Sequence, residues 1–222
     1  MTAVPGGTVD PLGDKALLLT LTGDRERCNR RVARIAGELL AELATGSSTG
    51  IVDVVPAMVS LAVFFDERVT VEAVEGRLRE LAERTTDVPA DDRSAPLHVV
   101  PVVYDGPDLP EVARRLGLGP RDLIGRHAGP EYRVRFLGFA PGFAYLGPLD
   151  PSLVLPRRPD PRRRVAAGSV AVAGDQTAIY PLDTPGGWHI LARTKVRPFD
   201  PMRSPPSLFA PGDRVRFEPV AP

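Results

Sequence analysis

Two segments in the second half of the chain concentrate side chains able to do chemistry. Gly168-Ser169-Val170-Ala171-Val172-Ala173-Gly174-Asp175-Gln176-Thr177 is followed closely by Tyr180-Pro181-Leu182-Asp183-Thr184-Pro185-Gly186-Gly187-Trp188. Together they offer hydroxyl, amide and carboxylate groups and backbone N–H groups that glycine leaves accessible, a set suited to an amide or carboxylate ligand. Ser169 lacks the GxSxG turn and the base that a nucleophile needs, so it reads as a binding group. Asp183 reads either as a general base or as a turn-forming aspartate before Thr-Pro-Gly-Gly. Of the three histidines, His127 is the candidate for proton transfer or anion binding. It ends a short helical pattern, and a helix C-terminus favours the imidazolium, although a plain C-cap explains the position equally well. His98 and His189 read as structural.

Two further segments are unusual. Phe136-Leu137-Gly138-Phe139-Ala140-Pro141-Gly142-Phe143-Ala144-Tyr145-Leu146 interleaves aromatics with Gly and Pro, which suits a strand running into a shaped loop. Its aromatic rings either fill a core or line a ligand pocket. Arg157, Arg158, Arg162, Arg163 and Arg164 could grip a carboxylate or phosphate, or form a solvated loop partly balanced by Asp160. The familiar motifs are absent: no GxxxxGK[ST], no GxGxxG, no HExxH, and Cys28 as the single cysteine. A self-contained NTPase, dehydrogenase or zinc enzyme is disfavoured, and no metal site is expected.

Composition narrows the class further. Lys plus Arg and Asp plus Glu both number 28 in 222 residues, so no global field draws the chain to nucleic acid or an anionic membrane, and neither is expected as a partner. Proline and glycine number 25 and 21, about a fifth of the chain against an average near an eighth. Turns should be abundant. One cysteine, no signal-like N-terminus and no long apolar run lead to the expectation of a cytoplasmic protein.

These groups must be positioned by two kinds of architecture. Lys15 to Leu21 reads as a strand, Cys28 to Leu43 as a helix whose arginines form a solvated face, Ile51 to Val55 and Val59 to Phe65 as strands, and Val71 to Leu81 as a helix capped by Thr70. This order, with a further strand at Leu97 to Tyr104, suggests a split βαβ unit. The polar stretch Asp87 to Pro96 reads as a boundary or a long surface loop. Beyond it come two short helices, Leu109 to Leu116 with Asp108 as cap and Arg121 to His127. Short extended segments follow at Tyr132 to Phe139, Ser152 to Leu155, Ser169 to Ala173, Ala178 to Tyr180, His189 to Thr194 and Arg214 to Glu218, the spacing of a compact barrel or sandwich.

The run from Glu131 through FLGFAPGFAYLGPLDPSLVLPRR, then RVAAGSVAVAGDQTAIYPLDTPGGWHILART, Phe199-Asp200-Pro201 and PGDRVRF at Pro211 to Phe217 closely resembles the family of the 5-oxoprolinase B-type subunits. That family is also called allophanate hydrolase subunit 1 or the Kip-type kinase inhibitors. Pro11-Leu12-Gly13-Asp14 and Asp53-Val54-Val55-Pro56-Ala57 resemble its N-terminal half. The resemblance implies an α+β N-terminal domain over residues 1–92 and a mainly-β, cyclophilin-like barrel over residues 93–222. It implies a subunit of an ATP-dependent enzyme that opens the lactam of 5-oxoproline to L-glutamate, inactive alone. Partners would be a larger subunit of the allophanate hydrolase subunit 2 type and a third subunit. ATP, with Mg, would act at the level of the complex, and no biotin would reside on this chain.

The alternatives within the family are inhibition of a sensor histidine kinase and carboxyltransferase-type action on urea or allophanate. The expected catalytic residues are His127 and Asp183. The expected substrate-binding residues are Tyr132, Phe139, Pro141, Gly142, Arg164, Gly168, Ser169, Gln176, Thr177, Tyr180, Gly186, Gly187 and Trp188. Asp175 stands where a second Gly is usual in the family, a departure that bears on either pocket charge or substrate preference.

Overall fold

The computed structural model describes residues 1–47, 50–86 and 95–221. It divides into two units, Met1–Arg93 and Ser94–Pro222. The expected boundary stretch lies, over residues 87–94, outside the described residues.

In the first unit the antiparallel sheet runs β1-β2-β3-β5-β4, with β1 Thr2–Val4, β2 Gly7–Pro11, β3 Ala16–Leu21, β4 Ile51–Pro56 and β5 Ser60–Phe65. Helices α1 (Arg25–Thr45) and α2 (Val71–Arg84) are capped by Asp24, which accepts from the Arg27 N–H, and by Thr70, which accepts from the Ala73 N–H. Both caps satisfy amides that the first helical turn leaves unpaired. The apolar stripes of the two helices bury Val32, Ile35, Leu39, Leu78 and Leu81 against Leu17, Leu19, Leu61 and Val63 of the sheet.

Three sequence expectations change here. The strand after α2 joins the second unit, and the hairpin β1–β2, which the sequence pattern does not reveal, pairs with β3 instead. Pro5-Gly6 makes the turn of that hairpin, with Gly6 at φ 72°, a tight reversal that one short apolar stretch does not announce. Arg31 does not belong to a solvated face. It is buried, and its guanidinium donates to the carbonyls of Pro5, Ala82 and Thr85.

The second unit is built on a sheet of seven strands: β6 Leu97–Val102, β7 Tyr132–Leu137, β8 Ala144–Gly147, β10 Ser169–Ala173, β11 Gln176–Ile179, β13 His189–Arg193 and β14 Arg214–Pro219. Their order across the sheet is β13-β10-β11-β8-β7-β14-β6. A bridge between Val103 and Arg193, with reciprocal N–H to O contacts of 2.9 Å, links the two sheet edges into a nearly closed barrel. The pairing of β6 with β14 is parallel, whereas the other ladders are antiparallel. A small ladder joins β9 (Arg162–Val165) to β12 (Thr184–Gly186). Helices α3 (Leu109–Leu116) and α4 (Pro120–Ala128) pack Val112, Ala113 and Leu123 onto the core. Ser152 to Leu155 is not a strand: Pro151–Leu153 forms a 3-10 turn, opened by the Asp150 carboxylate accepting from the Ser152 N–H.

Strands β10 and β11 are covered on both faces. Val170, Val172 and Ile179 point into the main core, while Ala171, Ala173, Ala178 and Tyr180 join Phe143, Trp188 and Ile190 in a second cluster on the opposite face. Alternation along a strand sends neighbours to opposite faces. Here alanines occupy the second face, which leaves room for large rings to lie against the sheet.

Candidate functional site

Those rings form the wall of a cavity of about 240 Å³ lined by Phe139, Phe143, Tyr145, Arg157, Pro161, Tyr180, Pro185, Gly186, Gly187 and Trp188. Phe143 is the hub. It meets Tyr145, Tyr180 and Trp188 edge-on at centroid distances of 5.0, 5.3 and 5.7 Å, and Phe139 at 5.3 Å. Edge-to-face contacts of this kind fix ring orientation as well as burying area. The loop from β7 to β8 delivers Phe139 and Phe143. Ala140 N–H donates to Gly138 O, and Phe143 N–H to Ala140 O, a tight turn that leaves Phe139 at φ 67° with its side chain exposed. A non-glycine residue in the left-handed region is strained, and such strain concentrates at functional positions.

On the opposite wall Gly186 leaves space for the Tyr180 hydroxyl, since a Cβ there would lie 2.3 Å from it. Burial pushes the phenols of Tyr145 and Tyr180 above their ordinary pKa, and the nearby Arg157 charge opposes this without reversing it. Both remain neutral hydroxyls able to donate at physiological pH.

The arginine segment divides its labour. Asp108 sits at the N-cap of α3 but makes no cap bond. Its Oδ1 accepts from Arg158 at 3.1 Å and Arg162 at 2.6 Å, and its Oδ2 accepts from the Ile190 N–H at 2.7 Å. Burial works to raise the Asp108 pKa, but these donors and the two guanidinium charges outweigh it and hold the carboxyl below its usual range. Arg164 pairs with Asp183 on the surface. Arg157 faces the cavity and makes no hydrogen bond or ion pair among the described residues.

The structure brings together Phe139, Tyr180, Gly186, Gly187 and Trp188 from the expected set. Several others lie elsewhere. His127, expected as a protonated helix-end group, is fully buried in the main core, stacked on Phe217 at 4.9 Å. Thr177 spends its one hydroxyl proton on Ala171 O, so its Oγ1 accepts from His127 Nε2 at 2.9 Å, and His127 Nδ1 in turn accepts from the Tyr104 hydroxyl at 2.7 Å. Every polar atom of the neutral imidazole is satisfied. Burial pushes its pKa down to about 3, so the dipole of a short helix loses to desolvation. Tyr132 is buried too, its hydroxyl donating to His127 O.

Asp183 accepts from the Ala167 N–H and from Arg164, contacts that hold its carboxyl below the ordinary range and make it a poor base. Arg164 is correspondingly occupied. Gly168, Ser169, Gln176 and Thr177 lie on β10, β11 and the turn before them, and Pro141 and Gly142 in the β7–β8 loop; none lines the cavity. Asp175 does not alter cavity charge, because it pairs with the buried Arg135 at 3.0 Å. His98 and His189 are structural, bound to Asp213 and to Pro156 O.

Among the described residues, no group of three or more His, Cys, Asp or Glu side chains is placed to hold a metal ion, and no helix is long and apolar enough to cross a membrane. Arg157 as the cavity's cation and Pro161 as part of its wall are not singled out by the sequence. The only signal is their place in a proline-punctuated basic run, and nothing in that run tells which arginines find internal carboxylates.

The model of the carboxyltransferase domain, subdomains C and D, matches residues 7–209. The chain is 36% identical over 222 residues to the 5-oxoprolinase B-type subunit of Bacillus subtilis, covering 94% of this chain and 91% of that protein. It is 38% identical over 214 residues to the protein of the same name from Escherichia coli O157:H7, covering 94% of each. The crystal structure of TTHA0988 superposes with a TM-score of 0.79 at 42% identity over 94% of this chain, which spans only 40% of that longer polypeptide. The urea amidolyase of K. lactis, at 19% identity and a TM-score of 0.71 over 96% of this chain, shares the fold.

Proposed function

The chain belongs to the family of carboxyltransferase-domain subdomains C and D, and from that premise we propose that it is the B-type subunit of a 5-oxoprolinase, acting with partner subunits to open 5-oxoproline to L-glutamate. The observation that carries this reading is the match along nearly the whole chain to relatives that bear the name of that 5-oxoprolinase subunit. The cavity supports it. Its volume of about 240 Å³ lies below the roughly 300–1,000 Å³ of sites for drug-sized ligands, so it suits one small ring better than a nucleotide. Aromatic walls, neutral phenol donors and one cation are complementary to a five-membered lactam acid.

ATP, with Mg, is assigned in this reading to a partner or to a site that a partner completes. The sequence has no phosphate-binding glycine loop, and the cavity is small for a triphosphate. ATP would supply activation of the lactam oxygen, while this chain's residues hold and orient the ring. The partners are a larger subunit of the allophanate hydrolase subunit 2 type and a third subunit, and the assembly is cytoplasmic. A cyclophilin-like form for the barrel belongs to the same reading.

The test is 5-oxoproline-dependent ADP release by the purified chain, alone and after co-expression with both partners. Activity confined to the full mixture supports the proposal. Silence in a mixture whose subunits demonstrably associate refutes it, and turnover of urea in that mixture would move the chain to the carboxyltransferase class.

A further inference from the structure

The basic segment runs beside the cavity, and three of its guanidiniums are paired with carboxylates of the same chain. Arg158 and Arg162 share Asp108, and Arg164 is held by Asp183. Arg157, one residue before this set, faces the aromatic cavity with no partner among the described residues. Its charge is close enough to pull on the phenols of both Tyr145 and Tyr180. Two arginines bound to one carboxylate leave this side of the cavity with surplus positive charge, and among the described residues no acidic side chain lines it. A cavity with apolar ring faces on one side and an uncompensated guanidinium at its edge is complementary to a planar ring that carries an anionic group.

We propose that Arg157 is the carboxylate anchor of this cavity, and that it makes the site selective for a small cyclic amide bearing a carboxylate over neutral amides such as 2-pyrrolidinone or urea. This rests on the reading of the cavity as the substrate site. The ring lies against Phe143 and Trp188, the guanidinium takes the carboxylate, and the Tyr145 and Tyr180 hydroxyls face the amide. A neutral amide makes the ring contacts alone and leaves Arg157 without an anion. Urea lacks both the ring and the charge. Discrimination by a charged hydrogen-bonding group exceeds what ring shape supplies.

Trp188 is the only tryptophan of the chain and part of the cavity wall, so its fluorescence reports occupancy of this site without any need for catalysis. The experiment titrates the full chain with 5-oxoproline, 2-pyrrolidinone and urea, in the wild type and in Arg157→Gln, Arg157→Lys and Arg163→Gln. Arg163 is an exposed neighbour outside the cavity and serves as a charge-matched control. Expected are saturable binding of 5-oxoproline by the wild type, a Kd raised about 10- to 100-fold in Arg157→Gln, as for loss of a charge-assisted hydrogen bond, an intermediate effect in Arg157→Lys and none in Arg163→Gln. 2-Pyrrolidinone should bind weakly and equally to the wild type and Arg157→Gln.

Equal binding of 5-oxoproline by the wild type and Arg157→Gln, wild-type affinity for 2-pyrrolidinone matching that for 5-oxoproline, or no response of the wild type at millimolar 5-oxoproline each overturns the anchor. In the assembled enzyme the same substitution should raise KM for 5-oxoproline with little change in kcat. Turnover of 5-oxoproline with an unchanged KM in Arg157→Gln sinks the anchor and leaves the 5-oxoprolinase reading standing. Arg157-dependent binding to a chain whose full complex does not turn the lactam over sinks that reading and leaves the anchor.

Discussion

Protonation of His127 should destabilise the second unit, and the size of the effect follows from its surroundings. The imidazole is fully buried, has its single proton committed to Thr177, and accepts from Tyr104. A second proton on Nδ1 would face the Tyr104 hydroxyl that now donates to it, and Tyr104 itself is held protonated by burial. The folded-state pKa is pushed down to about 3, whereas the unfolded chain titrates near 6.5. Below pH ~6.5 the unfolded state therefore binds the extra proton and the folded state does not. Stability is fully present above that pH and falls by about 1.4 kcal/mol per unit as pH drops toward the folded value. Between pH 7 and pH 5 the loss attributable to this residue is about 2 kcal/mol, a figure insensitive to the folded pKa as long as it lies well below 5.

Urea unfolding followed by Trp188 fluorescence at the two pH values measures it, with His127→Phe as the reference. Phenylalanine keeps the stack on Phe217 and cannot titrate. The variant should be less stable at pH 7 by about 1–3 kcal/mol, because the Tyr104 hydroxyl loses its acceptor, yet its stability should fall about 2 kcal/mol less than that of the wild type on going to pH 5. Equal falls in the two proteins, or an NMR titration of His127 near pH 6.5 in the folded chain, would refute the reasoning and restore a role in proton transfer.

Two further substitutions probe the frame around the cavity. Asp108→Asn removes the carboxylate that Arg158 and Arg162 share; unfolding should show a loss on the order of 3 kcal/mol, and a change under 1 kcal/mol would mean that solvent already screens the pair. Gly168→Ala forces an L-residue into φ 81° and brings its Cβ to 2.3 Å from the Thr194 carbonyl, so thermal denaturation should reveal a loss of at least about 2 kcal/mol; wild-type stability would show that the turn before β10 can shift.

What the sequence makes legible is what depends on local pattern. The apolar stripe of α1, the cap Thr70 and the α3 span Leu109–Leu116 follow from local spacing and, for Thr70, capping chemistry, which need no knowledge of distant residues, although Asp108, expected to cap α3, makes no cap bond. Strand β10 is readable for the same reason. The hairpin β1–β2 and the short strands β8, β9 and β12 are not, because three to five residues broken by Gly and Pro carry too little periodicity. The site is half legible. Its aromatics and glycines announce themselves by composition, but the state of His127 depends on Thr177, fifty positions away, and that of Arg158 and Arg162 on Asp108, again some fifty positions off. A helix-end histidine and an exposed-looking arginine run are local readings that long-range burial and pairing override. Asp175 is the same case: its partner Arg135 lies forty positions earlier, and that pairing, not the cavity, takes up its charge.

The chemistry of the cavity and the stability of the barrel meet in the two faces of β10 and β11. Thr177 turns toward the core and accepts from the buried His127, while Ala171, Ala173 and Ala178, facing the other way, make the shallow seat on which Phe143, Tyr180 and Trp188 rest. A larger residue at any of those alanines would displace the rings, and a slip of one residue in the β10–β11 register would send Thr177 to the cavity and an alanine to His127. Register is fixed wherever a face is buried, and here both faces are. The core histidine and the ligand cavity are therefore not alternative explanations of the same polar stretch. They are its two sides, and the polar residues that make the segment look catalytic are divided between them.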